Sequence, residues 1–180
     1  VQTCLFRSTA RFWYTMIAYR YRIQHTDGCY WIFLDDILLA SLSRGAGNTW
    51  HVNIKISGEN YLFTTSGKLN PLVNIQNINA GENIGEISLP LLPFFFRRSV
   101  FARKDGIQMS WFSKNFFSFH WMWKSNNDVL LEGVEDFTMG NGSGMIKISA
   151  YLQESYLLII AGIFLSLSRK RRGFLGLVNL

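Results

Sequence analysis

The sequence predicts a mainly β protein of roughly ten to twelve short strands, a sandwich or a barrel, with one C-terminal hydrophobic helix. Three observations lead there. Apolar and polar residues alternate with period two along most of the chain. Turn-forming residues interrupt that alternation at short, regular intervals. One run near the C-terminus abandons the alternation and is apolar on every side. The chain has 180 residues, is 48% hydrophobic and only 17% charged, which suits a single domain with a packed core. Its 15 Phe, 7 Tyr and 6 Trp favour strands and fill barrel and sandwich interiors.

The chain begins with Val1, which fits a fragment or a processed end. Its first 26 residues carry Arg7, Arg11, Arg20 and Arg22 and no acid, as a basic targeting segment would. The apolar run "FWYTMIAY" is short and lacks a small-residue cleavage site, so it reads as the start of the fold. In "YRYRIQ", Tyr19, Tyr21 and Ile23 share one face. In "WHVNIKIS", Trp50, Val52, Ile54 and Ile56 do so. In "IQMSWFS" the face is Ile107, Met109 and Trp111, and in "FSFHWMW" it is Phe117, Phe119, Trp121 and Trp123. Ile146 and Ile148 of "MIKISA" repeat the pattern. "FFFRRSVFARK" reads as a strand with a basic edge or end. "CYWIFLDDILLASLS" fits either two strands joined at Asp35-Asp36 or a short helix.

"TDGC" signals a hairpin at Asp27-Gly28, and "RGAGN", "SGEN", "TSGK", "NAGEN", "KDG" and "KSNND" mark further turns. "GNGSG" at 140–144 lacks the Lys-Ser/Thr of a phosphate loop and reads as a hairpin loop.

The apolar run is "SYLLIIAGIFLSLS", fourteen uncharged residues from Ser155 to Ser168. As a helix it spans about 21 Å, short of the roughly 30 Å hydrocarbon core of a bilayer. It has no polar face for lying on a membrane surface. In a chain otherwise made of strands, such a helix belongs inside a closed or nearly closed sheet, at about residues 153–170. Glu154 before it and Arg169, Lys170, Arg171 and Arg172 after it suit the helix dipole, and Gly173 is the expected stop. Residues 1–173 then form one domain and 174–180 a tail.

This pattern resembles the tubby-like superfamily, which includes the tubby C-terminal domain, the LURP-one-related proteins and the phospholipid scramblases. The stretch that carries the resemblance is "GMIKISAYLQESYLLIIAGIFLSLSRKRR" at 144–172, with the strands before it, including "GENIGEIS" at 81–88. The resemblance implies a mainly β fold, a closed antiparallel β-barrel of about twelve strands wrapped around a central, C-terminal hydrophobic helix. No binding residue of that superfamily is carried over.

No catalytic signature occurs: the sequence has no G-x-S-x-G, P-loop or H-E-x-x-H. His25, His51 and His120 are scattered, and no metal or other cofactor is expected. Asp35, Asp36, Glu132, Glu135 and Asp136 are expected in turns and on the surface. Cys4 and Cys29 make neither a CxxC pair nor a disulfide framework, which fits a reducing compartment. The net charge of +6 favours an anionic partner. Arg97, Arg98, Arg103 and Lys104 are expected to cluster near one strand end, and with Arg169 to Arg172 they are the candidate contacts for anionic phospholipid. "FFSFHWMWK" could stack bases, but its period assigns it to the core, so no nucleic-acid partner is expected. The expected function is therefore a non-enzymatic binding or scaffold module, cytoplasmic and peripheral at a membrane. Two alternatives are a protein anchored through 155–168 and a barrel carrier for a small hydrophobic ligand.

Overall fold

The structure is a computed structural model that describes residues 3–7, 13–67, 71–89, 98–113, 120–126, 128–138, 141–149 and 155–175. Thirteen strands precede one helix. They are β1 (Thr3–Arg7), β2 (Trp13–Thr26), β3 (Cys29–Leu34), β4 (Ile37–Arg44), β5 (Thr49–Ile54), β6 (Glu59–Ser66) and β7 (Leu72–Asn77). Then follow β8 (Glu82–Ser88), β9 (Arg98–Arg103), β10 (Gln108–Ser113), β11 (His120–Ser125), β12 (Asp128–Thr138), β13 (Asn141–Ser149) and helix α1 (Ser155–Leu175).

Twelve of the strands form a closed antiparallel ring in chain order from β2 to β13. The ring closes because β2 pairs with β13 along one edge and with β3 along the other. β2 is long enough to take a third partner: its residues 13–17 pair with β1, while residues 21–26 pair with β3. Full closure leaves the ring no unpaired edge for aggregation.

Alternation decides which side chains fill the interior. Tyr21 and Ile23 point inward from β2, and Arg20 is exposed. Val52 and Ile54, Met109 and Trp111, Trp121 and Trp123, and Ile146 and Ile148 are buried as the period required. Phe117 and Phe119 lie outside the described residues. The ambiguous "CYWIFLDDILLASLS" is two strands. Asp35 and Asp36 both have positive φ, +45° and +64°, which closes a two-residue hairpin. Asp35 also finishes the wall, because its amide donates to the Arg20 carbonyl at 2.8 Å and its carboxylate accepts from the Arg20 amide at 2.8 Å.

Four expectations need correction. Ile56 and Ile107 lie just beyond strand ends, in turns, and are about half exposed. The "GNGSG" segment is strand from Asn141 onward rather than a loop. Gly142 and Gly144 pair with both β12 and β2, and a Cβ on Gly144 would stand 2.1 Å from the Val134 carbonyl oxygen and 2.6 Å from the Tyr21 ring. Close approach, not turn conformation, requires glycine there. The helix runs from Ser155 to Leu175 instead of about 153–170, so Gly173 lies within it and does not stop it. Glu154 lies outside the described residues.

Helix α1 runs through the barrel. Ten consecutive residues, Leu157 to Ser166, are buried, so every face of the helix is covered. On one wall the Trp123 indole N–H donates to the Leu158 carbonyl at 2.9 Å. On another, Phe164 meets Phe63 of β6 edge-on, with ring centres 5.3 Å apart, and Trp50 of β5 at 6.0 Å. β5 and β6 stand opposite β11 and β12 in the ring, so the helix bridges the lumen. Burial of each Leu, Ile or Phe on it stabilises the fold by about 1.5–3 kcal/mol.

Candidate functional site

The two ends of the barrel carry different side chains, and strand direction decides which. Odd-numbered strands from β3 onward run towards one end, here called upper, where β3–β4, β5–β6, β7–β8, β9–β10 and β11–β12 are joined. The helix enters near that end. Leu158 meets Trp123, near the upper end of β11, and Ser166 meets Glu135, in the lower half of β12. Its C-terminal turns, which hold Arg169, Lys170, Arg171 and Arg172, therefore reach the lower end.

The interior around α1 is organised by one tryptophan and one carboxylate. Trp121 lies between two glycines. A Cβ on Gly133 of β12 would come within 2.3 Å of its indole, and so would one on Gly162 of α1. The Trp121 indole N–H donates to Glu135 at 2.8 Å, and the Ser166 hydroxyl donates to the other Glu135 oxygen at 3.0 Å. Glu135, expected at the surface, is thus a buried anchor between wall and helix, only 6% exposed. A carboxylate so placed must be hydrogen-bonded, and both oxygens are. The Tyr21 hydroxyl is buried beside the Glu135 carboxylate. Burial first, and then the Glu135 carboxylate, push its ionisation far above the ordinary phenol range. Leucines, isoleucines and Phe164 of the helix occupy the centre of the lumen, so this network ties the barrel to its filling.

The candidate cations do not form one cluster. Arg98 opens β9 at the lower end and Arg103 closes it at the upper end, about 17 Å away at ~3.4 Å per residue. The odd spacing also turns them to opposite faces of the strand. Arg103 pairs with Asp105 at 2.8 Å, and Lys104 sits in the same turn. Arg98 is exposed on the outer wall. Its Nε and Nη2 donate to Ser110 Oγ at 3.1 and 2.9 Å, and its guanidinium lies 5.5 Å from the Phe112 ring centre. Lys124, missed in the sequence, approaches the same ring at 5.6 Å. Register places it there, because Ser110 faces Lys124 and Phe112 faces both Arg98 and Met122. Arg97 lies outside the described residues.

At the upper end Asp35, Asp36, Glu59, Glu82, Asp105 and Asp128 stand with Arg20, Arg22, Lys55, Arg103, Lys104 and Lys124, so the charges of its described side chains balance. Among the described side chains the lower end has Arg44 and Arg98 against Asp27, and the last turns of α1 run towards it. A groove of about 830 Å³ lies at the closing seam, lined by Arg20, Arg22, Asp35, Asp36 and Tyr19, among others. Its two cations face two carboxylates. Arg22 lies 3.8 Å from Asp36 and stacks over Phe33 at 4.5 Å, so the groove has no excess charge for an anion.

The remaining polar candidates have structural surroundings. His25 stacks on Tyr30, with ring centres 4.4 Å apart, and His51 is exposed on β5. His120 pairs with Glu132, which Lys147 also approaches at 3.9 Å. Among the described residues, no three His, Cys, Asp or Glu side chains gather in a way that could hold a metal ion. The Cys29 thiol is free, and burial raises its pKa, partly offset by a backbone hydrogen bond and the Lys55 charge.

Set against protein-family models, curated proteins and solved structures, the chain finds no match.

Proposed function

We propose that this protein is a non-enzymatic binding or scaffold module that contacts anionic phospholipid through the lower end of its barrel. The observation that carries this reading is the direction of α1. The helix threads the barrel, and its last turns, which hold Arg169 to Arg172, run to the end where Arg44 and Arg98 already stand, while acids and cations balance at the other end. Each Lys or Arg near an anionic leaflet adds about 1 kcal/mol of attraction, and the cytoplasmic leaflet is the anionic one. Arg103 and Lys104 play no part, because they lie at the opposite end, where Asp105 pairs with Arg103. The barrel-around-a-helix architecture is also what a resemblance to the tubby-like superfamily implies, and a place in that superfamily is part of the proposal.

The alternatives draw on residues that the core already uses. An anchor would need 155–168, whose residues 157–166 are buried within the barrel, and no described helix is long and apolar enough to cross a membrane. The barrel wall does not face lipid either, because Arg20, Ser41, His51, Asn53, Glu86, Arg98 and Lys124 project from it where a membrane-spanning barrel needs an apolar band. A carrier would need the lumen that Leu158, Ile159, Ile163 and Phe164 fill.

Vesicle flotation at low salt tests the reading. The protein is expected to float with phosphatidylserine-containing vesicles and to stay behind with purely phosphatidylcholine ones. Equal recovery from the two would end the lipid reading.

A further inference from the structure

The outer wall carries a second feature that owes nothing to the basic end. A groove of about 280 Å³ runs over β4, β5 and β6 and up to the β7–β8 turn. None of its lining residues is charged, although the chain as a whole carries +6. Ser41, Ser43, His51, Asn53 and Asn60 project outward from three adjacent strands, and Asn79 joins them from the turn.

Register sets these groups out as a grid. Ser41 faces Asn53, which faces Asn60, and Ser43 faces His51 in the next outward row. Adjacent strands stand about 4.8 Å apart, and successive outward residues about 6.8 Å apart along a strand. The amides hold one another in place. Asn53 Nδ2 donates to Asn60 Oδ1, and the Asn60 backbone amide donates to Asn79 Oδ1 at 2.7 Å. These bonds leave Asn53 Oδ1 as an acceptor, and Asn60 Nδ2 and Asn79 Nδ2 as donors, beside the two serine hydroxyls. Two apolar surfaces border the grid. Trp31 of β3 is outward-facing, half-buried and directly opposite Ser41, and Ile78 of the lining is half exposed.

Preorganised neutral donors and acceptors beside a flat aromatic face match one ligand chemistry. A sugar ring carries hydroxyls that both donate and accept around its edge, and C–H groups on its faces that pack on an indole. A charged ligand would find no counter-ion in the lining, and a purely apolar one would strand the amides. We propose that this groove is a binding site for a neutral pyranose oligosaccharide, held by Asn53, Asn60 and Asn79 and stacked against Trp31. The site is about 280 Å³, room for one or two sugar rings and not for a long chain.

The test is an NMR titration of the isotope-labelled full chain with maltotriose, cellotriose and mannotriose, each in turn. At least one should give saturable shifts at the Asn53, Asn60 and Asn79 side-chain amides and the Trp31 indole, unchanged by added salt. Asn60→Ala and Trp31→Ala should each weaken that binding about tenfold, the loss that follows from removing one buried polar or stacking partner. Gln108→Ala, on the outer face of β10, should leave it alone and serves as a control for the fold. The proposal is overturned if none of the three sugars gives saturable shifts at these groups. It is equally overturned if binding fades with salt, or persists within twofold in Asn60→Ala and Trp31→Ala. A variant lacking the four helix cations should bind the sugar normally, so the fate of this site does not depend on the lipid reading.

Discussion

The upper and lower ends of the barrel present different surfaces among the described residues. At the upper rim, turns carry exposed aliphatic residues: Ile56 at 47% exposure, Ile78 at 48% and Ile107 at 48%, among carboxylates and cations that balance one another. At the lower end the Asp27-Gly28 turn is small and polar, the described charges are Arg44 and Arg98 against Asp27, and the last turns of α1 arrive there. The difference teaches that a closed barrel gains its polarity from what passes through it. The wall strands alternate direction and share charge between the ends. The helix has one direction only, and it places its four cations at one end.

That contrast can be broken at several points, and the largest effect should come from the helix terminus. Replacing Arg169, Lys170, Arg171 and Arg172 with alanine removes about 4 kcal/mol of attraction to an anionic leaflet, roughly a thousandfold in vesicle partitioning. Sedimentation with phosphatidylserine-containing vesicles reads this directly, and a loss under tenfold would mean that the helix does not dominate binding.

Next is the seat of the helix itself. Gly162→Leu drives a side chain into the Trp121 indole and should cost about 3 kcal/mol of stability, measured by urea denaturation. An unchanged midpoint would place Trp121 away from the helix.

Glu135→Ala leaves the Trp121 N–H and the Ser166 hydroxyl without their acceptor inside the core. About 2 kcal/mol of destabilisation is expected, and Glu135→Gln, which keeps one acceptor oxygen, should cost less. Equal stability of the two variants would deny the carboxylate its anchoring role.

Arg98→Ala should weaken anionic vesicle binding about fivefold, the share of one cation, while Lys104→Ala on the upper rim should change it less than twofold. The reverse order would invert the proposed orientation.

The smallest effect concerns Tyr21. Its folded-state ionisation is raised, so its contribution to stability is complete below the ordinary phenol value near 10 and is lost as pH rises beyond it. Tyr21→Phe removes the titrating hydroxyl beside Glu135 and should flatten the loss of thermal stability above about pH 10. Unaltered alkaline behaviour would assign that loss to other groups.

How much of this was legible in the sequence follows from the range of the forces involved. Period two reports local burial, so Val52 and Ile54, or Trp121 and Trp123, could be assigned to the core from the residues beside them. The same period fails at Ile56 and Ile107, because parity continues in the sequence after the strand has ended. The helix was legible because an all-round apolar run needs an all-round apolar container. Its exit at the lower end was not, because that depends on the direction of strands far away in the chain.

Glu135 was misplaced for a similar reason. Its partners, Trp121 and Ser166, lie 14 and 31 residues away, and nothing local marks it as buried. The cluster of Arg98 with Arg103 was a readable error. Five positions along a strand already place two side chains on opposite faces and about 17 Å apart. The neutral groove had no signal in single segments. Ser41, Asn53 and Asn60 meet only through the β4–β5–β6 register, and Asn79 only through the neighbouring turn.

The orientation of the barrel on an anionic surface is the central claim, and paired charge removal tests it most directly. Flotation with phosphatidylserine-containing vesicles would compare the variant lacking the four helix cations with a second variant lacking Lys55, Arg103 and Lys104 on the upper rim. The helix variant should remain at the bottom of the gradient while the rim variant floats like the unaltered protein. A rim variant that stays behind while the helix variant floats would contradict the account.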